Sequence, residues 1–451
     1  MPWPNGWDQK AALTYTALLC CLGCGPRAGQ DDTNETTTSQ TSTSESATSS
    51  SDVGGTMGCG DGVTEQNVFC FERVDVPGVS GVIALAAHDV DGLPGEELGI
   101  IDNPDGSKAR FSIAKWNGLD MTLFADAEDV RLEPALLMTG RLRPGQGVEL
   151  ATFLWDAVRT HRLIDGAVST VTEPRQADTV ELQSPVAALD VDGDGTDEMI
   201  VDAYISEDAN YPFFNALLLR RSPEGWVVNG DPLPVRDSWP RFAAAVGDLD
   251  GDGAPELVIE DQHDPSGEPG HAHYDPSLDE LVVMGGQNGV LVERDRFPAG
   301  TWPLALRLAD LDRDGRLDLI VAGADRIAFG AGTPGGSFAP PQIVELGGES
   351  AEGYGIGAIE LGDLDGDGEL ELIMAVRPSA QQRWRDIIVV SDPLGAATST
   401  TIATDLSPTT LSPAQAMVRD LTGDGVLDIV VSTATGDSPV LTGLSLLVGN
   451  P

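Results

Sequence analysis

An all-β chain of repeated four-stranded units is predicted by three features of this sequence. An acidic loop of one spacing recurs along most of its length, short apolar runs flank each copy, and the material left over at the two ends amounts to one further unit. Together they predict a closed ring, a seven-bladed β-propeller with four-stranded blades in which an N-terminal strand completes the last blade.

The loop is clearest at Asp190-Val191-Asp192-Gly193-Asp194-Gly195-Thr196-Asp197-Glu198. Carboxylates at positions one, three, five and nine can fold back around a hard cation, and the glycine at position six lets the backbone turn through φ > 0. The same pattern opens at Asp89, Asp190, Asp248, Asp310, Asp363 and Asp420, with separations of 101, 58, 62, 53 and 57 residues. The first gap is two periods long and hides a degenerate copy at 140–150, in which Arg141 and Arg143 replace the leading carboxylates while Leu142, Glu149 and Leu150 keep their places. That makes seven copies.

Each loop follows a small-residue apolar run such as Val186-Ala187-Ala188-Leu189 or Phe242-Ala243-Ala244-Ala245-Val246, suited to a crowded innermost strand. A second run follows it, as in Met199-Ile200-Val201 or Leu257-Val258-Ile259, then a third (Leu281-Val282-Val283-Met284) and a fourth (Val290-Leu291-Val292-Glu293). Four short β-rich runs in about 50 residues match a propeller blade better than a solenoid or sandwich. After Asp420 there is room for only two further strands, and a surplus strand lies around Val68 to Val74. Pairing that strand into the last blade closes the ring and removes its exposed edges.

Composition sets the outer limits. The 451 residues carry 26 Lys+Arg against 72 Asp+Glu, a formal charge of −46, which argues against nucleic acid and anionic lipid surfaces as partners. Residues 1–23 read as an export signal, with an apolar run from Ala11 to Gly23 too short to span a bilayer. Leu22-Gly23-Cys24-Gly25 resembles a bacterial lipoprotein signal, which implies lipidation of Cys24, with an ordinary cleaved signal peptide as the alternative. Residues 24–58 are Ser/Thr-rich with almost nothing apolar to bury, the composition of a disordered tether, and 59–451 form the repeat domain.

Loops of this Asp-x-Asp-x-Asp-Gly type, with pieces such as Phe329-Gly330-Ala331-Gly332 and Leu447-Val448-Gly449-Asn450, resemble the FG-GAP/VCBS repeats of integrin α-subunit propellers and secreted bacterial proteins. The likeness extends from about Val68 to Pro451 and implies Ca²⁺ held in loops between the first and second strands, all on one face. Four complete ligand sets carry over: Asp190, Asp192, Asp194 and Glu198; Asp248, Asp250, Asp252 and Glu256; Asp310, Asp312, Asp314 and Asp318; Asp363, Asp365, Asp367 and Glu371. Asp420, Asp424 and Asp428 form a weaker set, because Thr422 offers a neutral oxygen. Asp89, Asp91 and Glu97 are weaker still, since Leu93 removes a ligand and Pro94 stands where φ > 0 is wanted. The Arg141 loop is expected to bind nothing, its guanidinium groups standing in for the cation opposite Glu149. The apolar residue at position two is expected to pack inward and pin each loop.

The opposite face carries Trp239, Trp302 and Tyr354 at strand entries and Trp384 with Arg385 in a loop, side chains that suit a sugar or peptide ligand or, more plainly, pack between blades. His263, His271 and His273 fall in one Gly/Pro-rich loop, where a mobile polar segment is a plainer reading than a transition-metal site. No nucleophile elbow, His-Glu-x-x-His or phosphate loop accompanies them, and no Cys-x-x-Cys occurs outside the signal region. The expected function is non-enzymatic binding or adhesion to a surface protein or glycan, with membrane contact only through an N-terminal lipid, by a monomer that is outer membrane-anchored or extracellular. A polysaccharide-active enzyme and a purely structural envelope protein are the alternatives.

Three of the five cysteines lie in the signal region, leaving Cys59 and Cys70 as an even pair where oxidation is permitted. Alkylation of the mature protein before and after reduction is expected to reveal two thiols only after reduction, the mark of a Cys59–Cys70 disulfide; none appearing would contradict it.

Overall fold

The computed structural model describes residues 71–103, 109–125, 136–154, 156–176, 181–204, 214–237, 242–262, 279–300, 303–323, 326–344, 354–378, 386–391, 393, 398–403, 416–434 and 442–449. The signal segment, the tether, Cys24, Cys59, Cys70, the three loop histidines, Trp239, Trp302, Trp384 and Arg385 lie outside them, as does the side chain of Tyr354.

All described elements are strands, and apart from the short pieces Arg236–Asp237, Gly332–Thr333 and Ser337–Phe338 they group into antiparallel units of four, here called blades. Blade 1 runs Val82–His88, Glu97–Asp102, Arg110–Trp116 and Met121–Ala125, and blade 2 runs Leu136–Gly140, Glu149–Phe153, Ala157–Ile164 and Ala167–Gln176. Blade 3 comprises Glu181–Leu189, Glu198–Tyr204, Phe214–Ser222 and Gly225–Val228; blade 4 comprises Ala244–Gly247, Glu256–Asp261, Glu280–Gln287 and Val290–Pro298. Blade 5 is built from Ala305–Ala309, Asp318–Ala322, Ile327–Gly330 and Gln342–Val344, and blade 6 from Tyr354–Gly362, Glu371–Pro378, Asp386–Ser391 and Thr398–Ala403. In blade 7, Ala416–Arg419, Asp428–Ala434 and Thr442–Gly449 are joined by the N-terminal strand Phe71–Asp75.

Packing closes these units into a ring. Seven apolar clusters occur among the described residues, each shared by two neighbouring blades, the last joining Leu421, Val430 and Leu446 of blade 7 to Leu98, Ile100 and Ala114 of blade 1. The reason lies in the strand period: successive side chains point to opposite faces, and in a ring both faces are covered. In blade 3, Ile200 enters the cluster shared with blade 4, while Met199 and Val201 enter the one shared with blade 2. Hence second strands read as unbroken apolar runs, each fully buried aliphatic side chain contributing about 1.5–3 kcal/mol. The ends of first strands lie tight against the next blade: a Cβ on Gly247 would lie 2.6 Å from Leu317 Cδ1, and one on Gly362 would lie 2.6 Å from Leu427 Cδ1.

Blades 2 and 3 share a further link that no repeat pattern signals. Their outer strands pair in parallel, Trp226 with Arg175 and Val227 with Gln176, joining the two blades into one sheet. Gly225 makes the approach possible, since a Cβ there would sit 2.1 Å from Pro174 O. Arg221 braces it with a salt bridge to Glu173 at 2.6 Å, and Trp226 is fully buried.

The closing strand pairs Phe71 with Gly449 and Asp75 with Ser445. A chain beginning at Val76 would leave the Thr442–Gly449 edge unpaired. It is expected to lose thermal stability and to self-associate in size-exclusion chromatography; a monomer of unchanged melting temperature would argue against this closure.

Candidate metal centres

In every blade the repeat loop links first and second strands, so all the loops lie at one end of the ring. One hydrogen bond recurs in them. The carboxylate at position nine opens the second strand and accepts the backbone N–H of position two: Glu97 from Val90 at 2.8 Å, Glu198 from Val191 at 2.9 Å, Glu256 from Leu249 at 2.8 Å, Asp318 from Leu311 at 2.9 Å, Glu371 from Leu364 at 2.7 Å and Asp428 from Leu421 at 2.9 Å. Val191, Leu249 and Leu364 are buried and Leu311 packs against a core cluster, so the apolar side chain at position two pins the same residue from below.

Above it, the position-one Asp gathers loop N–H groups: Asp190 accepts Gly193 at 2.7 Å and Gly195 at 2.8 Å, and Asp248 accepts Gly251 at 2.8 Å and Gly253 at 2.9 Å. Position four as well as position six therefore takes a left-handed backbone, φ 76° at Gly193 and 85° at Gly195. In blade 5 a non-glycine residue, Arg313, holds φ 59° at position four.

Five loops bring three carboxylates together, one oxygen from each lying within 4.8 Å of the others. They are Asp89, Asp91 and Glu97; Asp190, Asp192 and Asp194; Asp248, Asp250 and Glu256; Asp310, Asp312 and Asp318; and Asp363, Asp365 and Glu371. Glu198, Asp252, Asp314 and Asp367, expected as fourth ligands, stand outside these sets of three. Asp252 and Asp367 turn Oδ1 onto their own loop N–H groups, from Ala254 and Glu369, and Asp314 is held by Arg316. Asp420, Asp424 and Asp428 form no such set among the described residues, and Asp428 accepts Leu421 and Thr422 on Oδ2 and Gly449 on Oδ1.

Two expectations need correction. Pro94 does not spoil the first loop, because the left-handed turn moves one residue on to Gly95 at φ 90°, and Asp89, Asp91 and Glu97 still converge. In blade 2 only Arg143 faces Glu149, with Nε 2.9 Å from Oε2; Arg141 instead crosses to Asp197 of blade 3 at 2.8 Å.

The fit to a hard divalent cation is best in blades 5 and 6. Asp310 Oδ1 and Asp363 Oδ1 are buried and accept no hydrogen bond, an arrangement that a cation would satisfy. Elsewhere basic side chains reach in: Lys115 to Asp91 and Glu97, Arg220 to Asp192 and Glu198, and Arg294 to Asp250 and Glu256. Sequence reasoning missed all three, since they stand on third or fourth strands beyond loops of variable length.

Residues 310–374 match the model of the FG-GAP-like repeat, spanning the blade 5 loop and the start of blade 6. Its ring of four-stranded blades makes the chain a β-propeller, with an FG-GAP-like repeat at residues 310–374. No curated protein matches the sequence. Among solved structures, BBS1N in complex with ARL6DN, soaked with lead, aligns at TM-score 0.47 and 13% identity over 83% of this chain and 95% of that one. An Agrocybe aegerita lectin recognising non-reducing terminal N-acetylglucosamine aligns at 0.46 and 14% over 76% and 82%. The Pseudomonas aeruginosa periplasmic gluconolactonase PpgL aligns at 0.42 and 14% over 76% and 94%.

Burial, reinforced by the neighbouring aspartates, lifts the Glu371 carboxyl to about 7; burial likewise lifts Asp428 to about 6. An acid raised on folding holds its proton more tightly in the folded state, so this contribution is present below the unfolded value near 4 and is lost as pH rises through 6 to 7. In chelator the melting temperature is expected to fall between about pH 4 and 7. Excess Ca²⁺, which favours the ionised carboxylates, should flatten or reverse the slope; a rise in chelator would contradict the assignment.

Proposed function

We propose that this chain is a calcium-stabilised, non-enzymatic binding or adhesion propeller, exported and displayed by an N-terminal lipid or released outside the cell. The observation that carries the calcium reading is the pair of buried, unpartnered oxygens, Asp310 Oδ1 and Asp363 Oδ1, each within a triad of loop carboxylates. Asp310, Asp312 and Asp318 would hold one ion, and Asp363, Asp365 and Glu371 a second. Bound there, the ion supplies positive charge to carboxylates that otherwise repel one another. Calcium binding only to the folded state stabilises it by mass action, about 2.7 kcal/mol per site at a hundredfold excess over Kd.

The loops close one end of the ring by bonding to their own backbone, which favours the other end for recognition. From their place in the repeat Trp239, Trp302, Tyr354, Trp384 and Arg385 are expected on that face, and their side chains suit a sugar ring or a peptide. The strongly acidic surface supports a protein or glycan partner rather than nucleic acid.

A glycan array probed with and without EDTA tests this reading, followed by incubation with any retained polymer. Calcium-dependent retention with the polymer left at full length is expected; chain shortening would replace the binder by a polysaccharide-active enzyme. A melting curve unmoved by EDTA would remove calcium from the proposal.

A further inference from the structure

The seven loops share one backbone plan but not one source of positive charge. In blades 5 and 6 no Lys or Arg contacts the position-nine carboxylate among the described residues, whereas in blade 1 an ammonium group stands among the acids. Lys115 Nζ lies 2.5 Å from Asp91 Oδ2 and 2.6 Å from Glu97 Oε1. Its place follows from strand register: Leu98 pairs with Ala114, so the next residue on the third strand falls opposite Glu97.

We infer that Lys115 is the resident cation of the Asp89 loop, and that this loop closes without metal. The acid set is the poorest of the five, Leu93 having removed the position-five ligand and pointing to solvent at 57% exposure. Glu97 is wholly buried, with Oε2 on the Val90 N–H and Oε1 on Lys115, and Asp89 is engaged by Gly92 at 2.6 Å. Calcium could enter only by expelling the ammonium into a site whose remaining oxygens are too few to complete its shell of six to eight. Burial acts to lower the Lys115 pKa, but the hydrogen bonds it donates to Asp91 and Glu97 outweigh it and keep the amine charged.

Arg220 and Arg294 are a different case. Arg220 Nε is 3.5 Å from Glu198 Oε1, and Arg294 reaches Asp250 at 2.9 Å and Glu256 at 2.7 Å, passing through the space left by Gly285. Both loops keep four carboxylates, and these guanidinium side chains are 40% and 37% exposed against 22% for Lys115, so they can withdraw to water. Blade 2 resembles blade 1, with Arg143 on Glu149. The ring therefore contains adjacent blades, 1 and 2, whose loops are closed by covalently attached charge.

Hydrogen exchange read by mass spectrometry on the full chain tests this, using EDTA against Ca²⁺ and the variant Lys115→Met. In the wild type, peptides spanning 89–97 should exchange at equal rates in both buffers. Lys115→Met should speed exchange of that segment roughly tenfold or more in EDTA, the loss of two charge-assisted hydrogen bonds. Slowing of 89–97 by Ca²⁺ in the wild type would overturn the inference, as would unchanged exchange in the variant. The wild-type comparison decides the matter if the variant does not fold. Segments 310–318 and 363–371 serve as the contrast and rest on the calcium reading: if they too ignore EDTA, that reading fails while the assignment of Lys115 stands on its own result.

Discussion

The structure depends on a buried acid at the start of each second strand. Placing a carboxylate there is costly unless it is bonded, and in blades 1 and 3 to 7 its first bond, to the position-two N–H, folds the loop back onto the blade. Its second oxygen then needs a partner, and the ways of supplying one differ around the ring. Gly332 N–H reaches Asp318 at 2.8 Å and Gly449 N–H reaches Asp428 at 3.0 Å, whereas side-chain cations reach Glu97, Glu149 and Glu256. The contact recurs in six loops, and in blade 2, where the leading aspartates are lost, Arg143 engages both oxygens of Glu149 while the blade keeps its register.

Neighbouring loops are also bonded to one another. Glu96 N–H donates to Asp420 O at 2.9 Å, and Asp197 N–H to Arg141 O at 2.9 Å, the same step made across the boundaries 7–1 and 2–3. A charged file runs from Arg307, Glu360 and Arg419 on first strands to Glu96 in the blade 1 loop, with contacts of 2.6, 3.9 and 3.4 Å spanning blades 5, 6, 7 and 1. Such contacts are partly exposed and individually weak. Their effect is to align blades whose cohesion comes from the apolar clusters between them.

Much of this was legible in the residues. A nine-residue loop with fixed carboxylate positions, recurring every 50 to 60 residues beside apolar runs, identifies blades because loop geometry and strand period both impose strict spacing. The Arg141 copy was readable because Leu142 and Glu149 preserve the frame, and Leu142 is indeed wholly buried. Cross-strand partners were not readable. Lys115, Arg220 and Arg294 meet their acids through registers set after loops of varying length, so their distance in sequence carries no signal. Pro94 misled for a related reason: φ > 0 can be supplied by a neighbouring glycine, and Gly95 supplies it.

The parallel pairing of the outer strands of blades 2 and 3 bears on how such a ring would come apart. A closed ring under strain opens at its weakest joint, and most joints here are side-chain contacts that separate without breaking a strand ladder. Between blades 2 and 3 the main chain itself is sewn, and Arg221–Glu173, Arg141–Asp197 and buried Trp226 lie along the seam. Fracture would therefore run elsewhere, and these two blades would leave the ring as one piece.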